Sequence, residues 1–139
     1  MTEEQRNDAG FTLIEVLVAI TIMAIGLLGI ASMQITAIQA NSGANTLSVA
    51  TSLAQGVLEE LLTLDSTDIM FDADVSDEPW DWDPSPGSEV WSRTLAGAGT
   101  YTATYTIDRD NPVASVARID VMVTNGNRTA QLTGFKRHL

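Results

Sequence analysis

The sequence predicts an α+β fold: a long N-terminal helix whose first half suits a membrane, packed through its second half on a C-terminal antiparallel β-meander. Three observations predict it. Residues 16–58 carry no charge at all. From Leu47 to Leu61 the apolar residues recur at helical spacing on one side of the chain. From about residue 90 onward they alternate with polar ones, the period of half-buried strands. Helix first and strands afterwards is the order of an α+β chain. At 139 residues there is one domain's worth of material and no room for two independent cores.

The apolar helix comes first. Val16 to Met33 has Thr21 and Ser32 as its polar breaks. At about 1.5 Å per residue the run nearly matches a hydrocarbon core of roughly 30 Å. It is apolar on every side, unlike an amphipathic surface helix, so a spanning helix is expected. An ordinary cleaved signal peptide would begin with a basic region; here Glu3, Glu4 and Asp8 stand against a lone Arg6. A plain single-span anchor explains the run but not Glu15, set between Ile14 and Val16 at its mouth. A carboxylate in lipid costs a few kcal/mol and usually has a cationic partner. No Lys or Arg lies between residues 7 and 92. A cut after Gly10, however, would free an α-ammonium on Phe11 close to this carboxylate or to a neighbouring subunit's.

The second half of the helix is one-sided. Leu47, Ala50, Leu53 (or Ala54), Val57, Leu58 and Leu61 form its apolar stripe, and the whole helix is expected from about Phe11 to about Leu64. Gly26, Gly29 and Gly43 each cost about 1 kcal/mol of helix propensity relative to alanine. Gly26 and Gly29 either let helices approach closely or are simply tolerated in lipid.

Residues 65–89 read as an irregular loop. Eleven acids fall between Glu59 and Glu89 with no base among them, and Pro79, Pro84, Pro86 and Gly87 break regular elements. Asp72-Ala73-Asp74-Val75-Ser76-Asp77-Glu78 alternates oxygen ligands in a way that suits calcium, but Asp77 stands where an EF-hand loop needs its turn glycine. A solvated acidic loop is the expectation. Trp80 and Trp82 alternate with Asp81 and Asp83, giving an apolar face that either covers a small core, as expected here, or forms a binding platform.

Strands follow. Tyr101, Ala103, Tyr105 and Ile107 alternate with threonines from Thr100 to Thr106. Val113 to Thr124 continues with Ala117, Ile119, Val121 and Val123 on one face. Asn125-Gly126 supplies a tight hairpin, Arg128 to Phe135 returns, and Val90 to Leu95 is a fourth strand.

The composition excludes several function classes. A formal net charge of −11 argues against nucleic-acid binding, which needs a basic face. Without cysteine there is no disulfide, thiolate nucleophile or cysteine metal site. The single histidine, His138, lies in a basic C-terminal tail and reads as solvated. No catalytic triad, metal set, cofactor loop or phosphate loop can be assembled around it, so an enzyme is not expected.

Gly10-Phe11-Thr12-Leu13-Ile14-Glu15-Val16 followed by an apolar helix resembles the leader of type IV prepilins and pseudopilins. The resemblance implies cleavage between Gly10 and Phe11 by prepilin peptidase, N-methylation of Phe11, and a role for Glu15 in filament assembly. It implies a leader over residues 1–10, a transmembrane and filament-core helix over 11–36, and a pilin-like head over 37–139. That head comprises a half-helix, an acidic loop at about 65–89 and a meander at about 90–135. Ile25-Gly26-Leu27-Leu28-Gly29-Ile30-Ala31 with Met33-Gln34 is more like the PilV type of minor pilin. The leader departs from the pattern in being acidic, with Arg6 four residues before Gly10.

The implied function is structural, a minor pilin that joins or primes a type IV pilus and influences adhesion or twitching motility. The implied partners are prepilin peptidase, other major and minor pilins, the inner-membrane assembly platform and membrane lipid. The implied location is the inner membrane as a single-pass protein, then the pilus at the cell surface, with the head in the periplasm or outside. The alternatives are a pseudopilin of a type II secretion system and a single-span membrane protein with a periplasmic binding head.

Overall fold

The computed structural model describes residues 10–138, and the chain divides into two units between Asn41 and Ser42. One helix, α1, runs Leu13–Thr63. It is followed by a single 3₁₀ turn, Ile69–Phe71, and by five strands: β1 (Val75–Pro79), β2 (Ser92–Leu95), β3 (Gly99–Asp108), β4 (Val116–Asn125) and β5 (Arg128–Arg137). The fold is the α+β, pilin-like arrangement expected, a long helix packed on an antiparallel sheet.

In the first unit every described residue is exposed. In the second, α1 buries Gly43, Ala50, Ala54, Val57 and Leu61. The last four are spaced four, three and four residues apart, which keeps them on one stripe. Leu47 is 45% exposed, and Ala54 rather than Leu53 occupies the core position, with Leu53 and Leu58 packed alongside it. Leu58, beside this stripe, reaches across to the sheet. A Cβ added at Gly134 of β5 would stand 2.9 Å from a Leu58 methyl.

The strand order is β1-β3-β4-β5, all antiparallel, with β2 also on β3. The outer edge of β3 is divided: β2 pairs with Gly99 to Thr102 and β1 with Thr104 to Ile107. Tyr101, Ala103, Ile107, Ala117, Ile119, Val121 and Val123 are all buried, which confirms the period-two reading. The Tyr101 hydroxyl donates to Ala98 O at 2.9 Å, so its buried oxygen is satisfied.

Four expectations about the elements between Asp65 and Arg128 are corrected. Residues 65–89 are more than a loop. Asp68 caps the 3₁₀ turn by accepting from the Met70 N–H at 3.0 Å, Phe71 enters the core, and β1 pairs with β3 around a bulge where Asp77 takes φ 50°. β4 begins at Val116 rather than Val113, because the Asp110 carboxylate accepts from the Ser115 N–H at 2.7 Å and holds a turn there. β2 begins at Ser92 rather than Val90. The hairpin closes on Gly126 and Asn127, since Asn125 is still paired with Arg128, and Gly126 supplies the positive φ of 55°.

The C-terminus is held by more than the hairpin. The Lys136 ammonium donates to Leu62 O at 2.7 Å and to Leu64 O, carbonyls at the end of α1. It also stands 5.2 Å from the centre of the Phe71 ring. A cation on a helix C-terminus satisfies orphan carbonyls and complements the dipole. His138 is buried, not solvated, with its backbone N–H donating to Ser115 O at 3.1 Å.

Candidate functional site

Gly10 and Phe11 precede α1 and are exposed, Phe11 at 83%. Thr12 starts the helix. Its hydroxyl accepts from the Glu15 N–H at 3.3 Å, and its carbonyl accepts from Glu15 and Val16 at 3.1 and 3.3 Å. Thr12 is therefore the N-cap and Glu15 the third helical position, the T-x-x-E spacing of a capping box. That spacing is visible in the sequence, and it gives Glu15 a favourable setting within its own helix in addition to any cation outside it. An acidic side chain in the first turn also meets the positive end of the helix dipole, a favourable contact of about 0.3–1 kcal/mol. Gly10, Phe11 and Glu15 thus sit within six residues, at the open end of a capped helix.

The segment that follows is the one described helix long and apolar enough to cross a membrane. Its polar breaks are neutralised internally. Thr21 donates to Leu17 O at 2.8 Å, Ser32 to Gly29 O at 2.7 Å and Thr36 to Ser32 O at 3.1 Å. Hydroxyls bonded back to their own helix leave no unpaired donor in an apolar surrounding. A Cβ at Gly26 or Gly29 would meet nothing within 4 Å, so within one chain neither glycine is required by packing.

In the head, the segment that resembled a calcium loop is committed elsewhere. Asp74 accepts from the Arg109 N–H at 2.8 Å, Asp72 O accepts from the Arg109 guanidinium, and Val75 to Pro79 is a strand whose side chains alternate between faces. Among the described residues no three His, Cys, Asp or Glu side chains gather as a metal set. The acids instead organise the chain. Hydrogen bonds from Thr67 hold the Asp65 carboxyl below its ordinary value, and bonds from Ser85 and Ser88 do the same for Asp83. Asp81 accepts from the Asp83 and Val90 N–H groups at 3.0 and 2.9 Å, closing the loop between them. Trp80 and Trp82 pack against the core, as expected.

Among known families, the prokaryotic N-terminal methylation motif matches residues 5–31. The match spans Gly10, Phe11 and Glu15 and most of the apolar run; residues 5–9 lie outside the described structure, as does the acidic leader it begins in. No curated protein and no solved structure matches the chain. The motif supports a prepilin-like protein with a type IV pilin or pseudopilin-like role, structural rather than enzymatic. With the apolar helix it supports membrane anchoring, processing by prepilin peptidase and association with other pilins.

Proposed function

We propose that the chain is a minor pilin, of the PilV type, that primes or enters a type IV pilus after its leader is cut between Gly10 and Phe11. The observation that carries the reading is the matched motif laid out at an exposed, capped helix start, followed by an apolar half-helix that buries none of its residues within the chain. Such a surface needs lipid before assembly and neighbouring helices after it. Prepilin peptidase releases and methylates the Phe11 amine, the inner-membrane platform receives the span, and the head over 37–139 remains in the periplasm or outside. Two unit charges about 4 Å apart attract by roughly 4 kcal/mol at an effective dielectric near 20. A Phe11 ammonium meeting a Glu15 carboxylate therefore offsets most of the few kcal/mol that burying the carboxylate costs.

The test is to express substituted chains, sequence their N-termini and compare sheared filaments with the membrane fraction. Substituting Gly10 is expected to block processing and leave the chain in the membrane. Glu15→Ala is expected to be processed normally but to fall roughly tenfold in filaments, since each 1.4 kcal/mol of lost docking is a factor of ten. Wild-type filament levels for Glu15→Ala remove the electrostatic part of the proposal. An intact Met1 on the filament form overturns cleavage itself. Pili that form normally without the protein while type II secretion fails would assign it to the secretion pseudopilus instead.

A further inference from the structure

All three tryptophans of the chain line two adjoining grooves on the head, of about 300 and 320 Å³, that share Trp80, Asp81 and Pro84. The rings are held in place. Trp80 donates its backbone N–H to Ala103 O at 2.9 Å and meets Tyr105 edge-on, with ring centres 6.0 Å apart and planes at 83°. Trp82 donates its backbone N–H to Val90 O at 2.9 Å, and the Arg93 guanidinium lies 5.7 Å from the centre of its ring. That contact places a cation of the chain itself on the aromatic side of the first groove.

The second groove has the same chemistry without the cation. Trp80, Trp91, Tyr105 and Met70 provide its apolar lining, and Glu78 and Asp81 its carboxylates. Among the described residues neither carboxylate belongs to an ion pair. Trp91 is 44% exposed. Glu78 and Tyr105 line the same groove, and the Tyr105 hydroxyl is pushed up by burial and then by Glu78. The surrounding segment carries eleven acids and no base from Glu59 to Glu89. Aromatic faces attract cations through their quadrupole, and the negative charges of Glu78 and Asp81, the latter already accepting two backbone N–H groups, complete the attraction. A neutral sugar would stack on the same rings but leave both charges uncompensated, so charge complementarity selects a cation. We propose that the groove between Trp80 and Trp91 docks a lysine or arginine side chain from a basic segment of a partner polypeptide.

The experiment uses the full chain in uncharged detergent micelles. The peptide Gly-Lys-Gly-Lys-Gly-amide, with an uncharged dye acylated onto its N-terminal amine, is titrated by anisotropy. Its Nε-acetylated counterpart and unlabelled cellobiose as a competitor serve as comparisons. Saturable binding is expected for the lysine peptide, weakened roughly tenfold in Trp91→Ala, which leaves the net charge unchanged. Glu78→Gln is expected to weaken it similarly. Both side chains lie at the surface, so thermal unfolding of the variants should match the parent. Equal affinity in Trp91→Ala would mean that overall charge alone attracts the peptide, and overturns the site. Tight binding of the acetylated peptide, displacement by cellobiose, or the absence of saturable binding overturns it equally.

Discussion

The two halves of α1 share one backbone conformation and have opposite surroundings. In residues 13–41 no side chain is buried, and leucines and isoleucines face every direction, Leu27 at 57% and Leu28 at 72% exposure. In the second half, Ala50, Ala54, Val57 and Leu61 are buried on one stripe, Val49, Leu53 and Leu58 pack beside them, and the serines, threonines and glutamates lie elsewhere. Helix propensity does not separate the halves, because alanine, leucine, serine and glycine occur in both. What separates them is the angular distribution of apolar atoms about the axis. An even distribution demands a surrounding medium, whereas a stripe demands one flat partner.

The contrast breaks most visibly under matched leucine-to-alanine changes. Leu61→Ala removes a fully buried side chain and is expected to destabilise the head by about 2–5 kcal/mol. Leu27→Ala is expected to change head stability by less than about 0.5 kcal/mol. Urea unfolding in micelles, followed by tryptophan emission, measures both, and equal losses would erase the distinction. A smaller effect sharpens where the second half ends. Lys136→Met keeps the aliphatic stem but removes the donors to Leu62 O and Leu64 O. A loss of about 1.5–3 kcal/mol is expected, the usual range for hydrogen bonds to a charged group; an unchanged melting temperature would show the helix end to be held by packing alone. The smallest effect lies in the loop that packs beside the helix. Asp83 is held below its ordinary 3.8 by Ser85 and Ser88, so its contribution is full above that value and lost as pH falls through the lower folded one. Tryptophan emission should therefore shift in acid, below about pH 3.8, and Asp83→Asn should diminish the shift. A shift of undiminished size in the variant would place its origin in another carboxylate.

The regular parts of the fold were legible because their patterns are long. The apolar run, the helical stripe and the alternation through Tyr101 to Ile107 and Ala117 to Val123 each repeat several times. β1 was not legible, because Val75-Ser76-Asp77-Glu78-Pro79 has a single apolar β-former and takes its hydrogen bonds from β3. Phe71 was hidden as a lone aromatic residue among acids, and no local pattern reports that such a residue will reach a core. His138 and Lys136 were read as a charged tail, although the helix end that recruits Lys136 lies more than seventy residues earlier. At the N-terminal site the motif positions stood out in the sequence, whereas the Thr12 cap went unrecognised although its T-x-x-E spacing is a standard helix-start signal.

The order of strands has an electrical consequence. β1, with Asp77 and Glu78, pairs only along one side of the sheet, while β5 forms the opposite border with Arg128, Lys136 and Arg137 and no acid. Three of the chain's seven basic residues thus lie on β5, where Lys136 is already tied to Leu62 O, Leu64 O and the Phe71 ring and Arg128 and Arg137 complete the basic border. The sheet is polarised across its width. Two such heads brought alongside repel when like rims meet and attract when unlike rims meet, a head-to-tail preference. Because exposed charges are screened over about 10 Å at 0.1 M salt, this preference acts at contact and fades with ionic strength.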